Sequence, residues 1–436
     1  MVEWVQPLLA ALHAQLEDDS DILTVGLQSC GASILFTLRA AVHDLIKNHL
    51  REEACKTLDD LADRAYLELR TSKNPSTCWR RLYTDSKILR TLAELVHPED
   101  ENATPTACIA RLDHSIITAG ACGEGRLELV LGLIGKIQSS YLREVTGLHA
   151  PLLPMQARSN FLSPHYSCTV PRLADPPSFT SFISAHSHAP FVISKYASEW
   201  PATQSWSDLR YLRTVAGPGR VVPVEVGGDY RSADWTQQIM GWDEFLDAIS
   251  KPDAEKPLYL AQHDLFKQFP TLRDDVVLPD YVYAALPATK EFPEYRPPGN
   301  EDQLVMNVWL GPKGTVSPAH TDPYYNFYAQ VVGRKTVWLA PPSATPFMYP
   351  YPHAQTSHND QPHNPAANTI EPSMSNTSRV DVFGTPGEDE FTEFWRDAVA
   401  LSMCVTLEPG DVLFFPPGWW HAMRSEEMSF SVSMWF

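Results

Sequence analysis

The spacing of hydrophobic positions changes character partway along the chain. Up to about Tyr141 it is helical. Leu35, Leu38, Val42, Leu45 and His49 share one face, and so do Leu58, Leu61, Ala65 and Leu69. A last run of the same kind holds Leu127, Val130, Leu131, Ile134 and Ile137. The polar stretch His97-Pro98-Glu99-Asp100-Glu101-Asn102 breaks the pattern between them. No repeat of fixed period is visible, so a solenoid is not expected. The spacing predicts an all-helical accessory unit over residues 1–147, followed by a Pro- and Ser-rich linker over 148–168.

From residue 169 to 436 the period shortens. Val192-Ile193, Val221 to Val226, Tyr259-Leu260-Ala261 and Val305 to Leu310 read as extended. So do Phe327 to Val332, Lys335 to Ala340, Asp411 to Phe415 and Ser429 to Met434. In Phe327 to Val332 the residues alternate, Phe327, Ala329 and Val331 against Tyr328, Gln330 and Val332. Short strands after a helical unit make an α+β chain, with a double-sheet jelly roll as the second part. A polar, proline-rich insertion over 346–379 is expected to be a mobile surface loop.

Composition narrows the class. The 436 residues are 44% apolar, enough for a large core. The net charge of −19 argues against direct nucleic-acid binding and favours basic protein or peptide partners. Seven scattered cysteines form no C-x-x-C pair, which fits a reducing compartment. The start of the chain lacks a basic leader, and no apolar run is long enough to span a membrane. A soluble monomer of the nucleus or cytoplasm is the expectation.

The candidate chemistry lies at S-P-A-H-T-D-P. His320 and Asp322 stand two apart on a strand end, so their side chains point the same way. Nearly a hundred residues on, G-D-V-L-F-F-P-P-G-W-W-H ends at His421, which could add a second imidazole. Two histidines and one carboxylate leave coordination positions open, the ligand set of non-haem Fe(II) oxygenases. A capping or turn pair is the ordinary alternative for His320 and Asp322, and Pro318 and Pro323 would suit it. A second H-x-D, His358-Asn359-Asp360, sits in the insertion and reads as a solvated loop. His353, His358 and His363 are likewise not read as a metal cluster.

H-T-D, the following G-R-K-T-V and G-D-V-L-F-F-P-P-G-W-W-H together resemble the jumonji-C (JmjC) Fe(II)- and 2-oxoglutarate-dependent oxygenases. V-P-R-L at Val170, V-P-V-E-V-G around Glu225, Y-L-A-Q-H-D-L-F from Tyr259 and the terminal F-S-V-S-M-W are similar to one branch of that family. C-W-R-R-L-Y near Trp79 extends a looser likeness into the helical part. The resemblance implies a cupin-like double-stranded β-helix with Fe(II) on His320, Asp322 and His421, the residues it marks as catalytic. It implies 2-oxoglutarate and O2 as cosubstrates, with Lys335, Tyr259, Ser317 and Asn326 at cosubstrate positions. An exposed strand-end lysine is the ordinary alternative for Lys335.

Glu225 and Trp235 match positions that hold a guanidinium in the arginyl-hydroxylase branch, which suits a carboxylate fork and an indole face. The implied reaction is C–H hydroxylation of an arginine in a protein or peptide, with release of succinate and CO2. N-methyl-lysine demethylation by the same chemistry is the alternative, and a non-enzymatic scaffold is a third reading. Core packing is the other reading of Trp235, and a strand-surface charge that of Glu225. Trp309 and Trp435 are expected to line the pocket or pack behind it, with core the favoured role for both. Tyr324-Tyr325, Met434 and the long insertion depart from the branch, and the tyrosines could narrow the mouth of the site.

Overall fold

The computed structural model describes residues 3–47, 50–72, 75–96, 105–142, 161–232, 234–251, 256–352, 374–387 and 390–436. His49, the break at 97–102, most of the linker, and His353, His358, Asp360 and His363 lie outside the described residues.

The first part is helical as the spacing predicts. It comprises α1 (Val5–Glu17), α2 (Ile22–Gln28), α3 (Ala32–Lys47), α4 (Arg51–Thr71), α5 (Thr77–Val96), α6 (Pro105–Ala119) and α7 (Arg126–Tyr141). Asp21 caps α2 by accepting the Leu23 N–H at 2.9 Å, which satisfies a donor the helix cannot use. Leu35, Leu38, Val42 and Leu45 on α3 and Leu58, Leu61 and Ala65 on α4 are buried, while Leu69 is half-buried. They join one apolar core that also takes in Val130, Ile134 and Ile137 of α7.

The second part contains β1 (Cys168–Thr169), β2 (Arg172–Leu173), β3 (Phe191–Ile193), β4 (Val221–Val226), β5 (Thr236–Gly241), β6 (Leu258–His263) and β7 (Val305–Gly311). It continues with β8 (Val316–Thr321), β9 (Asn326–Val332), β10 (Lys335–Ala340), β11 (Met403–Leu407), β12 (Val412–Phe415), β13 (Trp420–Ser425) and β14 (Ser429–Trp435). One sheet runs β1-β11-β10-β13-β8 and the other β2-β3-β12-β9-β14-β7-β6-β4-β5. All pairings are antiparallel except β1 with β11 and β2 with β3. Between the sheets lie Val192, Tyr328, Val337, Leu339, Leu413 and Phe415, which makes a jelly roll.

Both sheets are covered outside as well. Trp206, Trp242 and Phe245 pack over the larger one, and Phe394 and Met348 over the smaller. The alternation in β9 therefore separates an outer core face (Phe327, Ala329, Val331) from an inner one (Tyr328), and every residue of the strand is buried.

The insertion differs from a surface loop at both its ends. Pro342–Phe347 forms a short 3-10 turn, and residues 374–380 lie along the free edge of β8. Thr321 N–H donates to the Asn376 carbonyl at 3.0 Å and Ser378 N–H to the Ala319 carbonyl at 2.7 Å. An edge strand's unpaired backbone groups are thereby met.

Candidate metal centre

His320 on β8 faces His421 on β13 directly across the ladder, their rings 4.2 Å apart. The pairing slips in a bulge just after His421, a device that re-aims side chains next to functional sites. Asp322 follows β8 by one residue. Its carboxylate comes within 3.8 Å of His320 Nε2 and 3.4 Å of His421 Nε2. The backbone fixes this corner, because Gly418 N–H donates to the Asp322 carbonyl at 2.9 Å. That bond ties the P-P-G-W-W turn to the end of β8.

The imidazoles are also oriented. His320 Nδ1 lies 2.8 Å from the Pro318 carbonyl and His421 Nδ1 3.0 Å from that of Trp419. A carbonyl can only accept, so each Nδ1 carries its proton and each Nε2 keeps a lone pair facing inward. Burial, helped by His421 alongside, pushes His320 down to about 4, so it is neutral near pH 7. Burial would raise the Asp322 carboxyl, but the His421 and His320 rings beside it outweigh that and hold it below the usual carboxylate range. One carboxylate and two imidazoles, all donor atoms within 4.8 Å of one another, form a set that fits a divalent transition metal.

Deeper in the barrel is Lys335, the first residue of β10. It is 1% exposed and so is not the ordinary strand-end lysine. Its Nζ donates to Tyr328 OH at 2.8 Å and Tyr259 OH at 3.3 Å. No carboxylate pairs with it among the described residues, and burial pushes its ammonium down to about 7. Ser317 is buried against the Tyr259 phenol. Asn326 is 2% exposed and its Oδ1 has no partner. A buried cation without an anion is the kind of site a carboxylate would complete.

A cavity of about 600 Å³ opens over the metal residues. Glu225, Trp235, Tyr259 and Ser317 share it with His320 and Asp322. Glu225 is half-buried rather than a free surface charge, and burial raises its carboxyl above the ordinary value. Trp235 is half-buried too, and its Nε1–H donates to Glu225 Oε2 at 3.2 Å. No lysine or arginine pairs with Glu225 among the described residues. Trp309 does both, packing against the core between the sheets and lining the cavity, with its Nε1–H on Ser433 Oγ at 3.2 Å. Trp435 is buried, stacked at 5.6 Å on Tyr324. Tyr325 turns into the core with its hydroxyl on the Pro287 carbonyl at 2.8 Å, and Met434 is core as well.

Sequence reasoning missed several cavity residues. Tyr328 is an alternating strand aromatic until its contact with Lys335 is seen. Asn376 and Thr377 come from the end of the insertion and line the cavity with Tyr230, whose hydroxyl lies 3.4 Å from Thr377 Oγ1. Nothing in their local sequence marks them; the signal is the pairing of residues 374–380 with β8.

This fold and triad are those of cupin-like JmjC oxygenases, and the chain belongs to that family. The family described as "Cupin-like domain" matches residues 178–436. Over 377 residues the chain is 33% identical to "Lysine-specific demethylase 8" of Danio rerio, covering 85% of this chain and 84% of that protein. It is 33% identical over 356 residues to "Jumonji C domain-containing protein 5" of Drosophila melanogaster, covering 80% and 77%. It is 38% identical over 249 residues to "Lysine-specific demethylase JMJ30" of Arabidopsis thaliana, covering 57% of this chain and about half (49%) of that protein. JmjC oxygenases use Fe(II), 2-oxoglutarate and O2, and the His320–Asp322–His421 site can hold the iron.

Proposed function

We propose that this oxygenase oxidises a cationic side chain of a protein or peptide, and that the side chain is arginine. The observation that carries the reading is Glu225, a half-buried carboxylate with no cation among the described residues, in the same cavity as His320 and Asp322. A guanidinium can bond a carboxylate through two parallel N–H groups, and the Trp235 indole beside it offers a face for the planar cation.

His320, Asp322 and His421 hold the iron, which when bound supplies O2 activation coupled to decarboxylation of 2-oxoglutarate. Lys335 pairs with the far carboxylate of the cosubstrate, while the Tyr259 and Tyr328 hydroxyls keep its ammonium in place. The Ser317 hydroxyl and the Asn326 amide N–H are the further donors offered to the cosubstrate. The chain's own contribution is therefore placement: Glu225 and Trp235 decide which carbon is presented, and the buried walls limit water.

Demethylation of N-methyl-lysine is the second reading, and the names of two of the relatives given above favour it. Against it stands the carboxylate, since methyl-ammonium groups are better held by an aromatic cage. The iron-loaded protein is to be incubated with 2-oxoglutarate and matched peptides carrying arginine or N-methyl-lysine. Gain of one oxygen on arginine is expected; loss of a methyl group from lysine with arginine untouched would replace this reading by the second. Glu225→Gln should raise the peptide KM by about 10- to 100-fold, the worth of a charged hydrogen bond. Uncoupled 2-oxoglutarate consumption should continue, and equal loss of both would make Glu225 structural.

A further inference from the structure

The strand that presents Glu225 is joined to the interior of its sheet at one end only, although its outer side pairs with β5 along its whole length. β4 pairs with β6 through just two positions, Glu225 with Tyr259 and Val226 with Leu258. On its other side it has β5, the outermost strand of the sheet. At the Val221 end, where no strand reaches the inner side, side chains take over the backbone. Val221 N–H donates to Asp113 Oδ2 at 3.0 Å, and Gln268 Nε2–H donates to the Val221 carbonyl at 3.0 Å.

Asp113 belongs to α6 of the helical part and is wholly buried. It accepts from Arg220 Nε at 2.9 Å and Nη2 at 2.7 Å, and from Gln268 Nε2 at 2.8 Å. Arg220 is itself buried and lies over the Phe269 ring at 4.6 Å. The turn before it is gripped by α7, since Gln138 Nε2 donates to the Ala216 and Pro218 carbonyls at 3.1 and 2.9 Å. Gly217 there has φ +68, and a Cβ on it would meet Gln138 at 2.6 Å. The same seam reaches β6, because Gln268 Oε1 lies 2.6 Å from His263 Nε2.

We propose that the helical part is a brace for the substrate strand: Asp113 and Gln138 are positioning residues that fix β4, and through it Glu225, relative to the metal. This rests on the reading of Glu225 as the substrate carboxylate. The helical part then acts on the reaction without touching any reactant, and productive oxidation depends on an ion pair that spans the two parts of the chain. Geometry supports this over a plain packing contact, because Asp113 bonds the backbone of β4 where its ladder with β6 is absent and Gln138 bonds the turn that leads into it.

The test uses the full chain with Asp113→Asn and, separately, Gln138→Ala. Three quantities are read: amide exchange at residues 221–226, Mn(II) affinity, and the fraction of 2-oxoglutarate turnover that ends in an oxidised peptide. The peptide probe is a pool with a central arginine. Exchange at 221–226 should rise by about tenfold or more, first at Val221, whose N–H loses its acceptor in Asp113→Asn, and in Gln138→Ala through loosening of the turn that leads into β4. Mn(II) affinity should stay as in the parent, and the coupled fraction should fall severalfold. Unchanged exchange, or faster exchange with an unchanged coupled fraction, overturns the brace. Should Asp113→Asn fail to fold, Gln138→Ala decides alone. Failure of the substrate reading is seen separately, as Glu225→Gln that oxidises the pool like the parent.

Discussion

At the scale of single residues, the site is defined by groups whose surroundings leave them incomplete. Lys335 is held at about 7 by burial, and pairing with a carboxylate requires its protonated form. Below pH 7 the ammonium is already charged, so 2-oxoglutarate affinity should be flat. Above it the lysine must first take up a proton, and affinity should weaken by up to about tenfold per pH unit. Calorimetry of the Mn(II)-loaded protein at pH 8, in buffers of differing ionisation enthalpy, should count close to one proton taken up; none would mean that another group meets the cosubstrate. For the metal residues, Mn(II) should raise the melting temperature of the parent by mass action. It should leave His421→Ala unmoved, and an equal rise in both would place the ion elsewhere.

At the scale of elements, the G-R-K motif has a mechanical reason. Gly333 joins β9 to β10 at φ +66, and a Cβ there would lie 2.0 Å from the Met428 carbonyl oxygen. Gly333→Ala should cost about 1–3 kcal/mol or more and displace the start of β10, and with it Lys335. A lowered melting point with a raised 2-oxoglutarate requirement is expected, and a melt like the parent's would refute the argument. Strands were legible in the sequence where β-branched and aromatic residues run together, as in β4, β7, β9, β10, β12 and β14. β8 (V-S-P-A-H-T) and β13 (W-H-A-M-R-S) carry the metal residues yet lack such a run, because their inward positions hold polar groups rather than core. Their ligands gave them away instead. β5 (T-Q-Q-I-M-G) was hidden for the opposite reason, as a mostly exposed edge strand that needs no apolar face. The part of the insertion beside His320 was not legible at all, since a segment's pairing with a distant edge leaves no local period.

At the scale of the molecule, the two parts keep separate apolar cores, so what joins them is the polar seam around Asp113 and Arg220. A buried ion pair contributes little net stability against an apolar pair of equal size, but removing one partner strands the other charge. Asp113→Ala should therefore cost about 3–5 kcal/mol, with Arg220 left unpaired. Asp113→Leu combined with Arg220→Met should recover only part of that loss, because no charge then remains in the seam but the Val221 N–H and Gln268 Nε2 still lack the acceptor that Asp113 supplied. Denaturant unfolding followed by one probe in each part separates the cases. The parent should show transitions that move together, and Asp113→Ala should let the helical part unfold at a lower concentration than the sheet. If the single variant melts as the parent does, the seam is wet or dispensable, and the helical part is an independent module instead of half of one machine.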